Sequence, residues 1–174
     1  MSGDGLRVEF RMRDHTPAGA HERQQSVYER LQQLRGAGKI TEIDVLVGGT
    51  RVPVTGPGES DGQARATQET YRAFEAWAAR SGCTLAPAFD TRECGTLVGD
   101  EQREVLVFPL LSLALYGDDE LRAVFPHVAD DGVRTVEDGL DAIATGGWRD
   151  GTVAGEQAVP QSPSRPALGD CTPD

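Results

Sequence analysis

The sequence predicts an α+β sandwich: a mostly antiparallel sheet carrying two long helices and one short C-terminal helix, ferredoxin-like or related to it. Three observations predict it. Residues 6–13 alternate apolar and charged side chains, the stretches 18–36 and 62–81 repeat apolar residues at helical spacing, and the second half breaks into short apolar runs between Gly, Pro and Asp. A length of 174 residues suits one domain with a usable core. That single α+β domain is expected over residues 1–145, ahead of a disordered Gly/Pro/Ser-rich tail over 146–174 in which Trp148 is the one residue suited to dock back.

In order, Leu6, Val8, Phe10 and Met12 face one side of a first strand, and Arg7, Glu9, Arg11 and Arg13 the other. Thr16-Pro17 starts a helix, with Pro at its first position, and Val27, Leu31 and Leu34 give it an apolar stripe that Gly36 and Gly38 end. Ile40–Val47 is a second strand, and Gly48-Gly49 forms a hairpin turn into Thr50–Val54, where Pro53 demands a sheet edge. After a loop at 55–62, Ser60 and Gln63 have capping-box spacing for a helix over 62–81 with the face Thr67, Tyr71, Phe74, Trp77 and Ala78. Thr84–Glu93 and Glu104–Phe108 are extended around a turn at Gly99-Asp100. Leu110–Tyr116 is apolar and fits either a strand or a short helix; Gly117-Asp118-Asp119 turns the chain into Leu121–Val128. Thr135 and Asp138 repeat the capping-box spacing ahead of a last short helix containing Leu140 and Ile143. The opening β-α-β, with its right-handed crossover, is half of a ferredoxin-like unit by architectural analogy.

Composition speaks to habitat. The chain has 28 acidic residues against 17 basic ones, of which Lys39 is the single lysine, for a formal net charge of −11. Carboxylates hold water and hydrated cations at molar salt, where screening over roughly 3 Å removes their mutual repulsion. An acidic, arginine-rich surface of this kind points to the cytoplasm of a salt-in halophile. The absence of a long apolar run or a basic-then-apolar leader predicts a cytoplasmic chain with no membrane partner. Cys83, Cys94 and Cys171 are odd in number and make no Cys-x-x-Cys pair, which argues against a disulfide framework or a zinc finger.

The charge is also uneven. Residues 1–40 hold seven basic groups against five acidic ones, so the excess negative charge lies downstream. Arg7, Arg11 and Arg13 share a strand face and Arg23 and Arg30 a helix stripe, and guanidinium forks match phosphate oxygens. These five are the candidate site for nucleic acid or an acidic partner; ordinary arginine–carboxylate pairing on a solvated face is the competing account. His15 and His21 lie near Asp14 and Glu22 but lack a second pair at metal spacing, so no metal or other cofactor is expected. His127, with Asp130 and Asp131, is the one constellation suited to general-base chemistry, yet no nucleophile elbow accompanies it, and no catalytic residue is assigned. Gly48-Gly49-Thr50-Arg51 and Gly36-x-Gly38-Lys39 fail as phosphate cradles.

Three stretches, Pro17–Gln24, Gly38–Val45 and Thr135–Asp138, resemble small haloarchaeal proteins described as helix-turn-helix domain proteins or left uncharacterised. The resemblance covers about residues 6–145 and implies a transcription regulator. A winged arrangement would use 18–36 as the recognition helix and Ile40–Val54 as the wing, although the two long helices are not joined by a short turn. The resulting expectation is a non-enzymatic regulator acting through DNA or a transcription-associated protein, with a homodimer allowed. The alternatives are a small-ligand or protein-interaction module on a ferredoxin-like sheet and a small enzyme using His127.

Overall fold

The alternation at the start of the chain becomes β1 (Leu6–Arg13), the first strand of a computed structural model that describes residues 5–14, 16–48, 51–53, 62–95 and 102–150. Leu6, Val8 and Phe10 are buried while Arg7, Glu9 and Arg11 are half-buried, so the pattern separates an inner face from a wetter one. In α1 (Ala18–Gly36) the buried stripe is Gln24, Val27, Leu31 and Leu34. The Gln24 amide donates to the Arg13 carbonyl at 3.2 Å, which accommodates its burial. Pro17 sits at the N-cap, one position before the expected first turn, and Gly38 leaves the helix at φ 73°, a left-handed conformation that glycine adopts without strain.

The helix returns the chain to β2 (Glu42–Gly48), which pairs with β1 in parallel from Arg7 opposite Glu42 to Arg13 opposite Gly48. A ferredoxin-like unit is split, with another strand between these two; here they are direct neighbours, so the unit is a plain β-α-β. The later elements are β3 (Arg51–Pro53), α2 (Gly62–Ser81), β4 (Asp90–Gly95), β5 (Gln102–Val107), β6 (Leu111–Gly117), β7 (Glu120–Phe125), β8 (His127–Ala129), β9 (Gly132–Arg134) and α3 (Val136–Thr145), followed by a 3-10 turn at Gly147–Asp150. Among the described residues the strands form three sheets rather than one, in the orders β2-β1-β6-β7, β3-β5-β4 and β8-β9. Antiparallel pairs predominate, as the sequence implies.

Several local expectations give way to long-range pairing. The hairpin between β2 and β3 is not made. β3 pairs with β5 instead, and Gly49 of the expected Gly48-Gly49 turn lies outside the described residues with Thr50, as do most of the 55–62 loop, the Ser60 cap, the Gly99-Asp100 turn and the chain beyond 150. A Gly-Gly turn is a short-range signal that loses when a distant strand offers a better partner. Among the described residues, the wing over Ile40–Val54 is therefore not formed as a hairpin. Pro53 does lie on an edge strand, the position in a sheet that tolerates proline. The expected strand at Thr84–Glu93 is a bridge at Thr84, a turn, and β4 from Asp90; the expected strand at Leu121–Val128 divides at Pro126 into β7 and β8. Leu110–Tyr116, open between two readings, is a strand. Asp118 and Asp119, at φ 53° and 62°, supply the hairpin turn after it.

Register fixes the layers. Leu6, Val8, Phe10, Leu113, Leu115, Ala123 and Phe125 lie on one face of the four-stranded sheet, under α1 and α3. Ala114 and Val124 point to the other face and are also buried, because α2 packs on β7 and its Tyr71 and Phe74 join Phe89 and Phe108 in an aromatic cluster there. Helices on a single face would leave these residues wet, so the sandwich has cover on both sides. α3 starts with the capping box: the Thr135 N–H donates to Asp138 Oδ2 at 2.7 Å and the Asp138 N–H to Thr135 Oγ1 at 3.3 Å. Trp148 is buried against Gly117, where a Cβ would lie 2.6 Å from its ring.

α3 lies so close to the sheet that a Cβ on Gly139 would stand 2.7 Å from the Phe125 ring, which is wholly buried and has nowhere to turn. Gly→Ala within a helix ordinarily gains about 1 kcal/mol, whereas overpacking a rigid core costs about 1–3 kcal/mol. Gly139→Ala is therefore expected to destabilise the protein, read as a lower guanidinium midpoint. An unchanged or higher midpoint would show that the ring yields.

Candidate nucleic-acid interface

Alternation places Arg7, Arg11 and Arg13 on the second face of β1, where each finds a partner. Arg7 donates to Asp44 Oδ2 at 3.0 Å and lies 4.3 Å over the Tyr116 ring. Burial works against its charge, but the hydrogen bond and charge of Asp44 outweigh that and hold the guanidinium above its ordinary range. Arg11 donates to Glu9 Oε1 at 2.7 Å and lies 5.5 Å over Phe108; Arg13 donates to the Phe108 carbonyl at 2.7 Å. Arg7 and Arg11 thus lie over aromatic rings, a packing role as much as a charged one.

Arg23 and Arg30 belong to the other layer. Arg23 forks onto Glu137 of α3 with bonds of 2.7 and 2.8 Å, and Arg30 lies 4.0 Å from Asp141. The Arg23 bond is the main reason the Glu137 carboxyl titrates low, at about 2. The structure thus divides the five arginines: three line one face of the sheet, and two bind α1 to α3 on the opposite face. They do not form one surface.

A different surface does present basic groups together. Phe74, Trp77 and Ala78 turn the inner side of α2 into the core, which leaves Arg65, Arg72 and Arg80 exposed on the outer side. Seven- and eight-residue spacings put these three on one stripe, and Ala66, Ala73, Ala76 and Ala79 beside them are also exposed. Glu69 lies 4.0 Å from Arg65, and the Glu75 carboxylate is exposed on the same helix, one turn after Tyr71. Burial first, then that carboxylate, pushes the Tyr71 phenol up to about 12. A helix face made of guanidinium groups and methyls can approach a nucleic-acid groove closely and meet phosphates or guanine edges. The sequence holds the signal, the 65/72/80 spacing, but the even distribution of arginine hides it.

His127 is buried between Trp77 and Phe125, and its Nδ1–H donates to the Val124 carbonyl at 2.6 Å. Desolvation lowers its pKa, while Asp130 and Asp131 stay in an exposed turn. Cys83 is half-buried, and burial raises its thiol pKa. His21 is exposed on α1, and His15 lies outside the described residues. A shallow notch of ≈ 120 Å³ lined by Gly5, Gly117, Asp118, Arg122, Trp148 and Arg149 is too small for a drug-sized ligand. No described helix is long and apolar enough to cross a membrane.

Among known proteins, a family described as helix-turn-helix domain matches residues 1–147 of this chain. No curated protein and no solved structure matches it.

Two groups with lowered pKa values link stability to acid pH. His127 is neutral when folded and has a lowered pKa, so its contribution is present above the unfolded value near 6.5 and is lost as pH falls below that value. Glu137, also lowered, contributes above its unfolded value near 4.5, and that contribution is lost as pH falls towards about 2. Since Glu137 and Arg23 are each about half exposed, with side-chain exposures of 48% and 49%, the pair is worth no more than about 1 kcal/mol, and less at high salt. Glu137→Gln is expected to flatten the stability profile between pH 4.5 and 2 and leave the histidine window intact. Denaturant melts across pH check this; an unaltered acid limb would remove the ion pair from the account.

Proposed function

The chain belongs to the helix-turn-helix domain family, and from that premise we propose that it is a non-enzymatic, DNA-associated regulator of transcription. The reach of the family match carries this reading: residues 1–147 take in every described strand and all three described α-helices. α2 is the contact element in this proposal. Its outer stripe of Arg65, Arg72 and Arg80 is turned away from the core, whereas α1 is tied to α3 along one flank and α3 opens with Glu137 and Asp138. An acidic lead turn repels phosphates.

Net acidity fits this function in a salt-rich, haloarchaeal cell, the setting that the lysine-poor composition supports. Counterion release contributes little at molar salt, so affinity there rests on short-range contacts, and the overall charge of −11 suppresses indiscriminate binding. Guanidinium forks reaching base edges, with small alanines allowing close approach, provide such contacts.

The test is crosslinking of the tagged protein to chromatin in its host, at native salt, followed by sequencing of the recovered DNA. Discrete promoter peaks are expected. Arg72→Glu with Arg80→Glu is expected to reduce occupancy at those peaks at least about tenfold while leaving the circular dichroism spectrum unchanged. A flat wild-type profile would sink the regulatory reading, and peaks that persist in the double variant would exclude α2 as the contact face.

A further inference from the structure

We propose that the outer edge of β2 is a homodimer seam, at which two copies join antiparallel through Leu46 to make one continuous eight-stranded sheet. Among the described residues five large apolar side chains are exposed, and three of them, Val45, Leu46 and Val47, are consecutive on β2, with Val47 57% exposed. A fourth, Tyr28, lies on the flank of α1 opposite Arg23 and Arg30, hence away from α3 and over the β2 side of the sheet. β2 is the last strand in the order β2-β1-β6-β7, and no described strand pairs with its outer side. Lone edge strands normally carry charge, proline or a bulge that blocks association, and Val45–Val47 has none of these.

A second copy fits this edge on register and on charge. With a two-fold axis at Leu46, Leu46 faces Leu46 of the partner subunit, Val45 faces Val47 of the partner subunit, and Asp44 faces Gly48 of the partner subunit, so no carboxylates are opposed. Centring the pairing on Val45 would instead set Asp44 against the partner's Leu46. Asp44 is already neutralised by Arg7 at 3.0 Å. On a chain of net charge −11, an uncharged strip is where two copies approach at least cost. The axis stands perpendicular to the sheet, so it places both α2 helices on the same side, as paired half-sites on DNA require. The seam itself does not depend on the DNA reading.

Sedimentation of the full chain without DNA tests it. At molar KCl, from about 1 to 200 µM, the wild type is expected to be a dimer, and Leu46→Glu, which opposes two carboxylates at the axis, to dimerise at least about tenfold more weakly with an unchanged circular dichroism spectrum. Leu46→Cys, in a chain with Cys83, Cys94 and Cys171 replaced by alanine, keeps the test decisive if the glutamate variant misfolds. Directly opposed strand residues meet the Cα separation of a disulfide, so this variant is expected to crosslink to its own copy on mild oxidation. A wild type monomeric throughout, a Leu46→Glu dimer as tight as wild type, or a Leu46→Cys chain that stays uncrosslinked overturns the proposal.

Discussion

The fold depends on one strand with no face to give to water. β6 runs through the middle of the four-stranded sheet, and Leu111, Ser112, Leu113, Ala114 and Leu115 are all buried. Each leucine removed from water contributes roughly 1.5–3 kcal/mol, but only if both sides of the sheet are covered. That requirement recruits α1 and α3 to the leucine side and α2 with the aromatic cluster to the Ser112 and Ala114 side. Small residues lie where the layers come closest. Gly139 lets α3 approach Phe125, and Gly117 leaves room for Trp148.

The fate of the N-terminal arginines follows from the same cover. β1 lies beside β6, and its second face is only partly roofed, so long amphipathic side chains suit it better than leucines or short polar groups. Arg7 and Arg11 lay their guanidinium planes against Tyr116 and Phe108 at the border between the roofed and open halves. A chain with 28 acidic residues also supplies a carboxylate to nearly any arginine near another element. Arg7 takes Asp44, Arg11 takes Glu9, and Arg23 takes Glu137. The arginines of α2 differ because, among the described residues, their side of the helix faces no other layer.

Elements whose cause is local were legible in the sequence. β1 alternates, α1 and α2 carry their stripes at 3.6-residue spacing, and the Thr135–Asp138 capping box forms as the spacing requires. Pairing was less legible, because the choice of neighbour is a competition among distant strands. Gly48-Gly49 suggested a hairpin, yet β2 has its ladder with β1 and β3 has its ladder with β5. Composition blurred the candidate site in a related way. Counting arginines by segment selected Arg7, Arg11, Arg13, Arg23 and Arg30, but only the fold shows that they lie on two sides of one sheet. The spacing of Arg65, Arg72 and Arg80 was equally visible, and became informative only once Phe74 and Trp77 showed which side of α2 is buried.

The family description implies two helices joined by a tight turn, and the described fold arranges its helices otherwise. β2 and β3 separate α1 from α2, and six strands separate α2 from α3. What a helix-turn-helix pair accomplishes physically is more general than its connection: one helix braces another so that an exposed face reaches the groove rigidly. A sheet can provide that bracing. Trp77 bonds through Nε1 to the Arg122 carbonyl at 2.8 Å, Phe74 packs on Phe89, and Tyr71 meets both Phe89 and Phe108, so the inner side of α2 is fixed at successive turns. On the proposed reading, ordering cost is met on folding rather than on binding, with the outer face of α2 preorganised as a recognition helix must be. On that reading the strand–helix contact takes the place of the helix–helix contact, and the sheet that buries β6 also holds α2 in position.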